Sequence, residues 1–150
     1  MSVQTKNDPR LMSYNAVRRA VGLVGLGLPV SLYLYARLAR DMQPSISEFY
    51  YTAMGDILVG ALSAIGVFLI AYKGYPREKG ERLSDLVLAT FAGLGAIGVA
   101  LFPTSNKTGT TCAPSACVQT GITGHPEWLH LGSAAVVFTA MALFCFFLFP

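Results

Sequence analysis

Four long runs of uncharged, mostly apolar residues constrain this chain more than any other feature. Ala20 to Ala36 lies between Arg18-Arg19 and Arg37, and Ile57 to Tyr72 lies between Asp56 and Lys73. Leu86 to Phe102 lies between Asp85 and Pro103, and Trp128 to Phe149 is interrupted only by His130. A helix needs about 17–25 mostly apolar residues to cross a hydrocarbon core of roughly 30 Å. The second run reaches that length when its helix starts near Tyr50-Tyr51, which places Asp56 inside the span. Within lipid only helices and closed barrels satisfy their own backbones, and these continuous blocks lack the alternation of barrel strands. The expected fold class is all-α. It is an integral membrane bundle of four transmembrane helices in one domain, 1–150, with helices at about 17–38, 50–72, 84–103 and 128–149.

Composition narrows the function. Hydrophobic residues make up 53% of the chain and charged residues 13%, where soluble domains carry about 25% charged residues. Mean hydropathy is +0.52. Such apolar content excludes disorder, and the lack of a dense basic face excludes a nucleic-acid module. Orientation follows from basic residues near the span ends. Lys6, Arg10, Arg18 and Arg19 precede the first run, and Lys73, Arg77, Lys79 and Arg82 join the second to the third. The opposite side has only Arg37, Arg40 and Lys107. Both the N-terminus and the C-terminus are therefore expected in the cytoplasm, with the connection after the third run outside. Met1 to Asn15 is too polar to open a cleavable signal peptide, so the first helix is expected to stay. The loop from Lys73 to Arg82 mixes both signs and reads as a solvated hairpin.

The connection from Thr104 to Glu127 holds Cys112 and Cys117, which outside the cytoplasm are expected to form a disulfide. Cys145, deep in the last run, reads as a small buried hydrophobe. An alternative for the first pair is zinc. Cys112, Cys117, His125 and His130 give C-x4-C-x7-H-x4-H, close in kind to a Cys2His2 site but with a middle spacer shorter than the usual 12 or so residues.

Ionisable residues inside spans are costly, and each is a functional candidate. Asp56 and His130 qualify as candidate catalytic residues, and both of their helices enter from the outer side. Thr52, Asp56, Gly60, Ser63 and Val67 share one helical face, expected to look into the protein. Ser45, Ser47 and Glu48 from the first outer loop join Thr52 as candidate binding residues. Glu127 and His130 form E-x-x-H, which sets two ligands on one helical face. The candidate metal ligands are His125, Glu127, His130 and Asp56. No cofactor is expected from any motif, and zinc is the ion this cluster would admit. A structural reading stands beside the functional one. In it Asp56 pairs with Arg37 or Arg40, His130 bonds a backbone carbonyl, and Tyr50, Tyr51 and Trp128 form an aromatic belt.

Gly93 to Gly98 matches G-x-G-x-x-G, but the dinucleotide fingerprint needs a strand, a turn and a helix in water. Mid-span, small residues let helices approach closely. Gly22, Gly25 and Gly27 in the first helix, and Gly60 with Ala64 in the second, read the same way, and Pro29 predicts a kink.

The run Ser45-Ile46-Ser47-Glu48-Phe49-Tyr50-Tyr51-Thr52 with Asp56, followed by Gly66-Val67-Phe68-Leu69 and Tyr72-Lys73-Gly74-Tyr75, resembles a known family. So do Gly95-Ala96-Ile97-Gly98-Val99-Ala100-Leu101-Phe102-Pro103-Thr104 and His130 at the start of a later span. The family is one of uncharacterised bacterial multi-pass inner-membrane proteins of unknown function. The resemblance spans roughly residues 45 to 149 and implies a helical bundle in the bacterial cytoplasmic membrane, with no activity attached. A looser likeness is to the ceramidase-like transmembrane hydrolases, where a Ser, an Asp and several His surround zinc. Ser45 or Ser47, Asp56 and His130 are similar to that set, although that family has seven helices.

The first functional expectation is a non-enzymatic accessory or binding subunit. Its partners are the bilayer and, through the glycine-rich faces of the first and third helices, a second copy or a larger membrane complex; nucleic acid is not expected. The alternative is a zinc-dependent membrane hydrolase acting on a lipid at the outer interface. Its metal would lower the pKa of a bound water to about 7.

Overall fold

The computed structural model describes residues 9–72, 84–106 and 125–147. Among these the chain is all-helical, without strands. Helix α1 spans Pro9–Ala39, α2 Gly55–Ala71, α3 Asp85–Leu101 and α4 Glu127–Phe147, and a 3-10 helix, Ile46–Tyr51, precedes α2. The four main helices coincide with the four apolar runs. Two of them, Arg18–Ala39 within α1 and Glu127–Phe147, are long and apolar enough to cross a membrane. Helices α2 and α3 have 17 residues each, which at 1.5 Å per residue is about 26 Å.

The helices are arranged by sequence neighbour. Helix α2 packs along α3, α3 along α4, and α1 more sparsely on α2; among the described residues α1 packs on neither α3 nor α4, and α2 does not pack on α4. Helix α3 is thus the central element, and its buried side is small: Ala89, Ala92, Gly93, Gly95, Ala96 and Ala100. Glycines set both of its contacts. A Cβ placed on Gly93 would lie 2.6 Å from the carbonyl oxygen of Gly66 on α2, and one on Gly95 would lie 2.9 Å from that of Ser133 on α4. Backbone meets backbone at these two points, as small residues permit. The glycines of α3 are therefore used for close approach to α2 and α4 within the chain. Gly22 and Gly27 on α1 have nothing within 4 Å.

Helix α1 runs through Pro29 and ends in a Schellman turn. Arg40 takes the left-handed conformation at φ 55°, and the Asp41 N–H donates to the carbonyl of Ala36 at 3.2 Å, the pattern that satisfies the last carbonyls of a helix. Asp41 then anchors the turn. Its carboxylate accepts from the Gln43 amide at 2.5 Å and from the Tyr35 hydroxyl at 3.3 Å. This turn delivers the chain into the 3-10 helix. Leu28, Leu32 and Ala36 of α1, spaced four apart, pack there with Phe49, Tyr50, Met54, Leu58, Val59 and Ala100.

The start of the second span differs from expectation. Tyr50 and Tyr51 belong to the 3-10 helix, and α2 begins only at Gly55. Thr52 makes the break. Its backbone is extended, and its hydroxyl donates to the Phe49 carbonyl at 2.8 Å while accepting from the Met54 N–H at 3.1 Å. The hydroxyl thereby takes groups that a continuous helix would use itself. Gly55 follows because any side chain there would collide with the Tyr50 carbonyl. Asp56 consequently lies in the first turn of α2 and is exposed. The face expected to look inward does not. Thr52 is buried and Ser63 half-buried, but Asp56, Gly60 and Val67 are exposed, and α2 buries Leu58, Val59 and Gly66 instead. Of the expected aromatic belt, Tyr50 is core, Tyr51 is half-buried and Trp128 is exposed. Cys112, Cys117 and Lys107, the loop from Lys73 to Arg82, and the last residues of the fourth span lie outside the described residues.

Candidate functional site

Because α2 and α4 both pack on α3 but not on each other, a gap remains over the α3 surface. It is closed at one end by the 3-10 helix. The result is a cavity of about 200 Å3 floored by Ala96, Val99 and Ala100, with Leu58, Val59 and Leu62 on one side and Ala134, Val137 and Phe138 on the other. Ser47 and His130 also line it. Two of the lining residues, Ile46 and Phe138, are more than half exposed, so the cavity reaches the surface of the protein between the 3-10 helix and α4.

His130 is 5% exposed, and both of its ring nitrogens are engaged. Nδ1 lies 2.7 Å from the carbonyl oxygen of Phe102, and Nε2 lies 3.0 Å from the Ser47 hydroxyl. A carbonyl can only accept, so Nδ1 carries the proton. In the neutral ring Nε2 is then the acceptor, and Ser47 donates to it. Phe102 is the residue that ends α3, with its own N–H bonded to the Gly98 carbonyl. The imidazole therefore bridges the carboxyl end of α3 and the 3-10 helix, 83 residues away in sequence.

A second tie runs parallel to the first. The Tyr51 hydroxyl donates to the Thr104 carbonyl at 2.5 Å, and the Thr104 hydroxyl donates to the Glu127 carboxylate at 3.4 Å. Burial raises the Tyr51 phenol above its ordinary pKa, and the neighbouring Tyr50 and the negative charge of Glu48 add to the shift. Tyr51 therefore stays protonated, and able to donate, well into alkaline solution. Glu48 is buried, and its Oε2 has no hydrogen-bond partner. His125, half-buried, sets its ring edge-on to Phe102 at 5.2 Å.

The candidate residues thus separate into those that meet and those that do not. Ser47 and His130 touch. Thr52 is buried in the turn that starts α2, Ser45 is exposed as the residue before the 3-10 helix, and Asp56 is exposed. The proposed metal ligands do not fit an ion: among the described residues no group of three His, Cys, Asp or Glu could hold one, and the His130 nitrogens serve other partners. Two participants lay outside the candidate set. By its place at a span end Tyr51 suits an interfacial aromatic, and the Phe102 carbonyl carries no sequence signal, since a backbone acceptor is the same in every residue. Comparison with protein-family models, curated proteins and solved structures gives no match.

Proposed function

We propose that this chain is a four-helix, multi-pass protein of the bacterial cytoplasmic membrane, with both ends in the cytoplasm, that serves as a binding subunit for a small apolar molecule. One observation carries the reading: large apolar side chains face outward on all four helices while the interior is small and partly hollow. Leu23, Leu26 and Leu34 on α1, Ile57 and Val67 on α2, Phe91 and Leu94 on α3, and Leu131, Phe138 and Phe146 on α4 are all more than half exposed. A water-soluble monomer rarely leaves so much contiguous apolar surface bare, whereas lipid covers it without cost. The most apolar stretches of α1 and α4 are only 17% and 11% buried, the reverse of a soluble core helix. Helices α2 and α3 fall a few ångströms short of a bilayer core of roughly 30 Å, a mismatch that local thinning accommodates at modest cost.

The span count and orientation are tested with single cysteines in a chain lacking its own three. Ser45→Cys, exposed beside the 3-10 helix, should react with a membrane-impermeant maleimide in intact cells. Lys79→Cys should react only after permeabilisation. Labelling of both from outside would remove the four-span arrangement.

The binding role follows from the cavity. An apolar cavity of about 150 Å3 holds a benzene molecule, so this one accepts a slightly larger body, with Ser47 at hand for a polar head. The probe is 4-(trifluoromethyl)phenol, followed by fluorine NMR in detergent. Wild type should show a bound signal that Ala134→Leu, which fills the cavity, removes without lowering the melting temperature. A spectrum unchanged by that substitution would sink the binding role.

A further inference from the structure

Among the residues lining the cavity, Ser47 and His130 pair a hydroxyl with a base, and that base is itself held by a third group. Nucleophilic catalysis requires this order of contacts: a nucleophile and a base within about 2.6–3.2 Å, with the base oriented from its far side. The 3.0 Å from Ser47 Oγ to His130 Nε2 lies in that range, and the Phe102 carbonyl at 2.7 Å fixes the tautomer that leaves Nε2 free to accept. In other enzymes a carboxylate plays the orienting part. Here a backbone carbonyl at the C-terminal end of α3 does so. His130 is buried, while Ser47 is half-buried and borders the cavity. The base is shielded and the nucleophile is within reach of a ligand.

We propose that Ser47 and His130 form a nucleophile–base dyad that cleaves esters whose small apolar acyl group sits in the cavity between α2 and α4. The proposal rests on the reading of that cavity as a binding site, and adds a reaction to it. The Ser47 oxygen forms a bond to the ester carbonyl carbon, and its proton passes to His130 Nε2 while Nδ1–H stays on the Phe102 carbonyl. The bond to the alcohol oxygen then breaks, and that oxygen takes the proton from Nε2. Water adds to the acyl-Ser47 carbonyl and gives its proton to Nε2. The bond to Ser47 breaks, and the proton returns to the serine oxygen. Ester and water become acid and alcohol, with no oxidant or reductant. Water reaches the acyl group at the outer face, where Ser47 is partly exposed.

The test uses the full chain in detergent and an octyl fluorophosphonate, which forms a bond only to an activated serine. Mass spectrometry should find one adduct per chain, on Ser47. Ser47→Ala should give none, and His130→Gln, which can still donate and accept but is no base, should label at least about 100-fold more slowly. Both variants should still unfold cooperatively in a thermal melt in detergent, showing that the bundle is intact. An adduct on another residue, or equal rates for wild type and His130→Gln, would overturn the dyad. A bound phenol signal with no adduct would end the dyad and leave the binding site standing. Absence of both would end both.

Discussion

Gly93→Leu is expected to separate α2 from α3 and to cost the protein on the order of 3 kcal/mol or more, the upper range for overpacking a filled interior. The reason is the kind of atom in the way. A Cβ at this position would lie 2.6 Å from the Gly66 carbonyl oxygen, 2.8 Å from Ile70 Cγ1 and 3.1 Å from the Ile70 nitrogen. A side-chain tip can rotate aside, but a helix backbone cannot, so α2 must move as a body. Gly66 faces the same problem from the other side, its added Cβ falling 2.8 Å from the Gly93 carbonyl oxygen. The two glycines are one contact. Gly60→Ala is the matched control: nothing lies within 4 Å of a Cβ there, and alanine favours a helix over glycine by about 1 kcal/mol. Thermal unfolding in detergent should show a large fall for Gly93→Leu and no fall for Gly60→Ala. Similar melting of both proteins would refute the close crossing.

Leu32→Ala should be nearly as costly, through the opposite defect. Leu32 is 1% exposed and is the largest fully buried side chain among the described residues. It sits in the cluster formed by α1, the 3-10 helix and the start of α2. Removing a buried leucine to alanine costs about 2–5 kcal/mol, the larger values where the site cannot collapse. Collapse is hard here because α1 meets the rest of the protein along one narrow row, Leu28, Leu32 and Ala36, and Leu32 is its centre. The expected result is a lower unfolding midpoint together with proteolysis in α1 at temperatures where wild type resists. Leu26→Ala, on a residue 73% exposed, should leave both unchanged. An unaltered midpoint for Leu32→Ala would mean that α1 is not held by this row.

The sequence was most legible where one physical rule dominates. Long uncharged runs cannot be loops in lipid, and four runs became four helices. Gly93, Gly95 and Gly98 were readable as close-packing positions for the same reason, although which neighbour they meet is a tertiary fact. Legibility failed where competing local bonds decide. Apolar content does not distinguish the 3-10 geometry of Tyr50 and Tyr51 from another turn of α-helix. The hydroxyl of Thr52 does, and its bonds to Phe49 and Met54 become visible only in three dimensions. Once α2 starts at Gly55, Asp56 falls at a helix end, where the expense of a carboxylate within a span no longer applies.

The site was half legible. His130 stood out because a histidine in an apolar run needs a reason, and bonding to a backbone carbonyl was among the readings weighed. Ser47 did not stand out from Ser45, two residues away in the same loop. Only the turn of the 3-10 helix separates them, leaving Ser45 exposed and bringing Ser47 to His130. Among the described residues the candidate metal donors do not come together as a group of three, and His130 spends both ring nitrogens on Phe102 and Ser47.

The neighbour-by-neighbour order of the helices bears on how the protein is made. Each helix docks on the one synthesised just before it, so packing can keep pace with translation and needs few distant contacts, the condition under which chains assemble fastest. The bonds from Ser47 to His130 and from Tyr51 to Thr104 are the exceptions. Both join the first half of the chain to its later part, but the second needs only the residues just after α3, whereas the first cannot form until α4 has been made. A nascent chain of three helices therefore already has much of its packing but lacks the cavity wall that α4 supplies and the His130 that Ser47 meets, and any chemistry there is withheld until α4 is made.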